Sequence, residues 1–165
     1  TTSTTTQLVL GDALAISLLK MRGFSTNDFA KYHPGGVLGK KLFLRVKDLI
    51  QHKKPQVKLS SSIQDVIIEI SSNRLGATVV LDDNIICGLI TDGDLRRMLE
   101  KGSDIKDLFA SDIMTENPKC VSKNTLAAEA LGLMEVNHIS QLIVDDEGTY
   151  MGIIHIHDIL KEGIL

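Results

Sequence analysis

The sequence has no tryptophan, and aromatic residues make up 4% of its 165 positions, so its core must be aliphatic. It has two cysteines, Cys87 and Cys120, outside any CxxC pattern. That excludes a disulfide framework and points to a reducing compartment. It has no charged-then-apolar leader and no apolar run of 18 residues, which reads as a cytoplasmic chain without a membrane span. A strong charge of either sign is also missing: the net charge of −3 gives no pull toward nucleic acid or membrane. There is no initial methionine, and the opening Thr1-Thr2-Ser3-Thr4-Thr5-Thr6 reads as a cut inside a longer protein. The 43% hydrophobic and 24% charged content is that of a soluble globular protein.

What the chain does have is a repeat. Segment 45–101 slides onto 109–165 without a gap. Eight positions are then identical, among them Asp48/Asp112, Val57/Val121, Asn73/Asn137, Gly88/Gly152 and Asp94/Asp158. Apolar positions match more widely, as in Ile67/Leu131 and Leu95/Ile159. Two copies are too few for a solenoid. They predict a pseudo-twofold pair of small domains covering each other's apolar faces, with Asp94 and Asp158 on one polar slot between them.

The first third reads differently. Residues 1–6 form either a disordered stub or a hydroxyl-rich helix N-terminus able to meet an anion. Residues 7–22 predict a helix ended by Gly23, apolar around most of its circumference, which needs cover from further chain or a partner. Ser25 or Thr26 caps a short helix to about Tyr32. His33-Pro34-Gly35-Gly36 predicts a tight turn, with His33 either a plain loop residue or held at a ligand-facing lip. Lys40 to Lys58 carries seven Lys or Arg against Asp48, and reads as a solvated connector.

Each repeat predicts the order β-α-β-β-α. In the first, strand 56–58 precedes a helix over 62–74 with Ser62 and Asp65 in a capping box. Strands 77–81 and 85–90 flank the turn Asp82-Asp83-Asn84, and a helix over 94–101 starts at Asp92-Gly93-Asp94. The second copy has strand 119–122, a helix from Asn124 or Thr125 to Asn137, strands 140–144 and 149–155, and a helix over 158–162. Arg96 and Arg97 could reach a phosphate or line a solvated helix face. His155 and His157 form an H-x-H pair with no third ligand at metal spacing, so no metal is assigned. Cys87 and Cys120 read as small buried hydrophobes.

Segments 45–101 and 109–165, with their Gly-apolar-apolar-x-x-x-Asp endings, resemble a tandem pair of CBS domains. That resemblance implies an α/β (α+β) fold and a nucleotide-binding regulatory module. Thr91 would contact a ligand phosphate, and Asp94 and Asp158 would bind ribose hydroxyls. His155 departs from the pattern where a hydroxyl residue is usual. Gly11-Asp12-Ala13-Leu14-Ala15, Arg22-Gly23-Phe24, His33-Pro34-Gly35-Gly36, Thr91-Asp92-Gly93-Asp94-Leu95-Arg96-Arg97 and His155-Ile156-His157-Asp158 together resemble the D-arabinose 5-phosphate isomerases of the KpsF/GutQ type. Those carry a sugar-isomerase (SIS) domain before the CBS pair and act through an enediol on the way to Kdo for lipopolysaccharide or capsule.

The resemblance implies three segments: 1–44 as the end of the SIS domain, 45–104 as the first CBS domain and 105–165 as the second. His33 would be the catalytic histidine, and Ser3, Thr4 and Thr5 would lie near the substrate phosphate. Other catalytic residues have no counterpart here, so the chain alone is expected to be inactive. No cofactor is required. The expected partners are a sugar phosphate for the parent, a nucleotide effector (CMP, a CMP-sugar, AMP or ATP), a second copy through the CBS pair, and a tetramer for the parent. Two other readings stand beside this one: a pair that only assembles the oligomer, and an independent sensor.

Overall fold

A computed structural model describes residues 1–33, 35–51, 53–102 and 104–164. Pro34 of the expected turn lies outside them. The chain divides into two compact units, Thr1–Phe43 and Leu44–Leu165.

The first unit is helical: α1 (Thr2–Met21), α2 (Thr26–Tyr32) and α3 (Val37–Phe43). The hydroxyl run is helix rather than a stub. Thr1 caps α1, and Thr4, Thr5 and Thr6 donate to carbonyls one turn back. No residue of α1 is buried, and Leu8, Val9, Leu10, Leu14 and Met21 stand exposed. Ser25 caps α2 in a reciprocal box with Asp28. Helix α3 was not expected, because Gly39, Lys40 and Lys41 give it the composition of a connector. It packs on α2, and the residues buried in the two helices are the small ones, Ala30 and Gly39.

The second unit carries the repeat as two sheets. The first has the order β1 (Gln56–Lys58), β2 (Ala77–Asp82), β3 (Ile85–Thr91), β4 (Thr115–Glu116). The second has β5 (Cys120–Ser122), β6 (Gln141–Asp146) and β7 (Thr149–His155). In both, the first strand pairs parallel to the second and the hairpin is antiparallel. The copies agree in detail. Val57 faces Val80 as Val121 faces Val144, and both hairpins carry a register shift after that valine. Helices α4 (Ile63–Asn73) and α7 (Ala127–Asn137) both end on a left-handed residue, Arg74 and His138. Helices α5 (Asp92–Glu100), α6 (Ala110–Ile113) and α8 (Ile156–Leu160) complete the unit. Helix α5 begins at Asp92, two residues before the expected Asp94, because Asp94 is the third residue of a capping box led by Thr91.

Strand alternation builds the core. Ala77, Val79 and Leu81 of β2 face inward and cluster with Ile143, Tyr150 and Ile153 of the second sheet. Val80 faces the other way, toward Val66 and Ile70 of α4. Burying each such Ile or Val contributes about 1.5–3 kcal/mol. The sheets thus pack on each other with helices outside.

The repeats also exchange arms. Val46, at the head of the first repeat, donates to Thr125 at 2.9 Å and joins the core of the second. Ala110, its counterpart 64 residues on, donates to Ser61 at 2.9 Å and joins the core of the first. The stretch expected to be a solvated connector is therefore part of the fold around Val46. Cys87 is half-buried and Cys120 exposed, so neither is a fully buried hydrophobe. Burial of the Cys120 thiol still pushes its pKa up, helped by Asp145.

Candidate functional site

A polar cleft of about 370 Å³ opens between the two repeats. The first repeat and its arm contribute Gln51, Arg74, Leu75, Gly76 and Asp92, and the second contributes Gln141, His155, His157, Asp158 and Lys161. Its floor is close-fitting. Gly76 has φ +66°, and a Cβ there would meet Asp92 Oδ2 at 3.3 Å and Gln141 Nε2 at 3.4 Å. Gln141 Nε2 donates to the Leu75 carbonyl at 3.3 Å, tying one repeat to the other.

Asp158 is set by two donors. The His155 amide reaches Oδ2 at 3.1 Å and the Gln51 side-chain amide reaches Oδ1 at 3.1 Å. His155 takes over the capping role of a hydroxyl residue: its Nδ1 accepts from the His157 amide at 3.1 Å. The two rings stack, with centroids 4.9 Å apart. Burial lowers the His155 pKa first, His157 and Lys161 lower it further, and Asp158 opposes them. An Nδ1 that accepts a hydrogen bond places the neutral imidazole's proton on Nε2. Among the described residues, no group of three His, Cys, Asp or Glu could hold a metal.

Asp94 lies elsewhere. It lines a separate cleft of about 350 Å³ with Arg97, Met98, Lys101 and residues 108 and 112–114. The slot expected to hold both aspartates is thus two clefts, because each Asp follows its own helix start. Asp94 is buried and fully engaged: Oδ2 accepts from the Thr91 amide at 2.8 Å and its hydroxyl at 2.7 Å, and Oδ1 from Arg97 at 2.5 Å. Burial raises its pKa, but the bonds from Thr91 and Arg97 outweigh that and hold the carboxyl below its ordinary range.

Of the residues expected at a sugar-phosphate site, His33 is exposed at the end of α2, its ring 4.9 Å from that of Phe29. Ser3, Thr4 and Thr5 lie in the first turns of α1, all exposed. Among the described residues, no hydrogen bond joins them to His33. A larger cavity of about 910 Å³ runs along β1, α4 and Asp82–Asn84, and its lining holds none of the catalytic or binding residues expected from the sequence.

Gln51, Arg74, Gln141 and Lys161 line the cleft and were not singled out from the sequence. Lys161 alone had a readable signal, one turn after Asp158 as Arg97 follows Asp94.

The comparisons with known proteins agree with this architecture. The CBS domain family model matches residues 46–101 and 110–164. The arabinose 5-phosphate isomerase KdsD of Escherichia coli (strain K12) is 46% identical over the whole chain. This chain spans about half (51%) of that relative's length. Among solved structures, a CBS-domain containing protein of Agrobacterium tumefaciens has 26% identity and a TM-score of 0.65, covering 73% of this chain and 93% of its own. A CBS domain protein of Pyrobaculum aerophilum, solved in complex with AMP, has 20% identity and a TM-score of 0.65, covering 70% of this chain and 89% of its own. With both halves of the repeat matched and the paired-sheet fold shared, the chain belongs to the CBS domain family.

Proposed function

We propose that the chain is the regulatory CBS-pair portion of an arabinose 5-phosphate isomerase, and that its CBS pair senses a nucleotide or nucleotide sugar. The parent would interconvert D-ribulose 5-phosphate and D-arabinose 5-phosphate in the cytoplasm, toward Kdo for lipopolysaccharide or capsule. Similarity to the isomerase along the whole chain supports the parent activity. One observation carries the sensing role: Asp158, Arg74, His155 and Lys161 line one cleft between the repeats. A carboxylate accepts two hydrogen bonds from a vicinal diol, and cations and an imidazole N–H suit a phosphate. His33 remains the parent's candidate catalytic histidine and Ser3–Thr5 its candidate phosphate-side residues. One exposed histidine supplies a single acid–base group, and the family's other catalytic residues have no counterpart in this sequence, so turnover by this chain alone is not expected.

Calorimetry of the chain with CMP, a CMP-sugar, AMP and ATP tests the reading. Binding by one of them, lost on Asp158→Ala, supports it; silence from all four removes it. That a CBS protein of this fold was solved with AMP makes AMP a natural first probe.

A second reading, assembly, draws on a different observation. Ile68 on α4 and Val136 on α7 are 62% and 80% exposed, which suits a helix-mediated homodimer and a tetrameric parent. Light scattering tests it: Val136→Glu should halve the mass of a dimer, and a wild-type monomer would end the idea.

A further inference from the structure

The 64-residue offset sets Thr91, Asp94 and Arg97 against His155, Asp158 and Lys161. In the first set the Thr91 hydroxyl and both oxygens of the Asp94 carboxylate are already engaged. Thr91 donates its hydroxyl proton to Asp94 and accepts the Asp94 amide in return. The Asp94 side chain is 8% exposed, and the Arg97 guanidinium fills its remaining oxygen at 2.5 Å. That guanidinium also lies over the first turn of α5, where a Cβ on Gly93 would stand 3.6 and 3.9 Å from its two terminal nitrogens. A ligand diol would have to displace a charge-assisted bond, roughly twice as strong as a neutral one.

The second set is open. Among the described residues Asp158 Oδ1 holds only the neutral amide of Gln51, a bond that a ligand hydroxyl can replace like for like. Among the described residues Lys161 enters no ion pair. His155 keeps an Nε2–H because its Nδ1 is occupied.

We infer that Arg97 closes off the Asp94 carboxylate inside a cleft that otherwise stays open, so that the CBS pair takes one phosphate-bearing nucleotide per chain, at Asp158, with Lys161 as the phosphate's cation. This rests on the sensing role proposed above. The closure by Arg97 can be tested separately from it.

The experiment is calorimetry of the whole chain with the four nucleotides, using wild type, Arg97→Ala, Lys161→Ala, Asp94→Asn and Asp158→Asn, each checked for a cooperative melt. One site per chain is expected in wild type. Affinity should fall at least tenfold in Asp158→Asn and several-fold in Lys161→Ala, an exposed side chain whose backbone amide caps the end of α8 and is kept in the variant, and hold in Asp94→Asn. Arg97→Ala should gain a second, weaker site that wild type lacks. Two sites in wild type, or binding that depends on Asp94 and not on Asp158, overturns the proposal. No binding by wild type but binding by Arg97→Ala keeps the closure and removes the Asp158 reading. Silence from both removes both.

Discussion

His155 Nδ1 accepts the amide proton of His157 at 3.1 Å, doing for α8 what the Thr91 hydroxyl does for α5. The bond requires an unprotonated Nδ1. Burial and the facing His157 and Lys161 lower the His155 pKa, while Asp158 opposes them. A histidine with a folded pKa below its unfolded value of about 6.5 binds fewer protons when folded, so its contribution is complete above about pH 6.5 and is lost as pH falls through the lower folded value. Urea midpoints should therefore drop between about pH 7.5 and about pH 5. His155→Thr, the residue used in the first repeat, should flatten that part of the profile. A midpoint that rises on acidification in wild type would contradict the assignment.

Asp94 gives a second profile in a more acidic window. Its carboxyl is held below its ordinary value of 3.8, so the stability it supplies is present above that pH and is lost as pH falls through the depressed folded value. Asp94→Ala should cost about 1–2 kcal/mol at neutral pH, the range for losing a helix cap. Wild type and variant should converge in strong acid. Arg97 is 64% exposed, so Arg97→Ala should cost less than about 1 kcal/mol. Denaturant titrations at neutral and acidic pH read all three, and an Arg97→Ala loss equal to that of Asp94→Ala would mean the ion pair, not the cap, dominates.

The paired architecture was legible because the repeat is gapless and its strands are short apolar runs bounded by turn residues, as at Ala77–Leu81 before Asp82-Asp83-Asn84. The cap of α4 was legible too, since Ser62 and Asp65 announce a helix start by chemistry alone, whereas α7 starts after Leu126 and not at Asn124 or Thr125. The exchanged arms were not. Residues 44–51 and 109–116 carry no period, and Val46 finds its partner at Thr125, far along the chain. Helix α3 was hidden by its glycine and lysines. The separation of Asp94 from Asp158 was hidden because their equivalent positions in sequence say nothing about which neighbours close each cleft.

Thr78 supplies a prediction of gain. Among the described residues its hydroxyl, fully buried on β2, has no hydrogen-bond partner, where the second repeat has Leu142. An unpaired buried hydroxyl costs about 1–3 kcal/mol, and valine keeps the shape without it. Thr78→Val should stabilise the fold by about 1 kcal/mol, raising the melting temperature by a few degrees. A melting temperature at or below wild type would show that the hydroxyl has a partner in solution.

The arm exchange makes the sharpest prediction, because each arm is seated on a glycine. A Cβ on Gly88 would meet Met114 Sδ at 2.6 Å and Met114 Cβ at 3.0 Å. A Cβ on Gly152, its counterpart, would meet Ile50 Cγ2 at 3.1 Å, at a φ of +148° that L side chains rarely adopt. Met114 can swing its sulfur aside, whereas Ile50 is branched at the contact and the Gly152 backbone is strained as well. Gly88→Ala should therefore cost about 1 kcal/mol and Gly152→Ala about 2–3 kcal/mol. Hydrogen exchange should also localise the damage to the arms. In Gly152→Ala the Val46 amide, bonded to Thr125, should lose protection, and in Gly88→Ala the Ala110 amide, bonded to Ser61, should do so. If each substitution instead loosened the arm preceding its own repeat, the exchange of arms between repeats would be wrong.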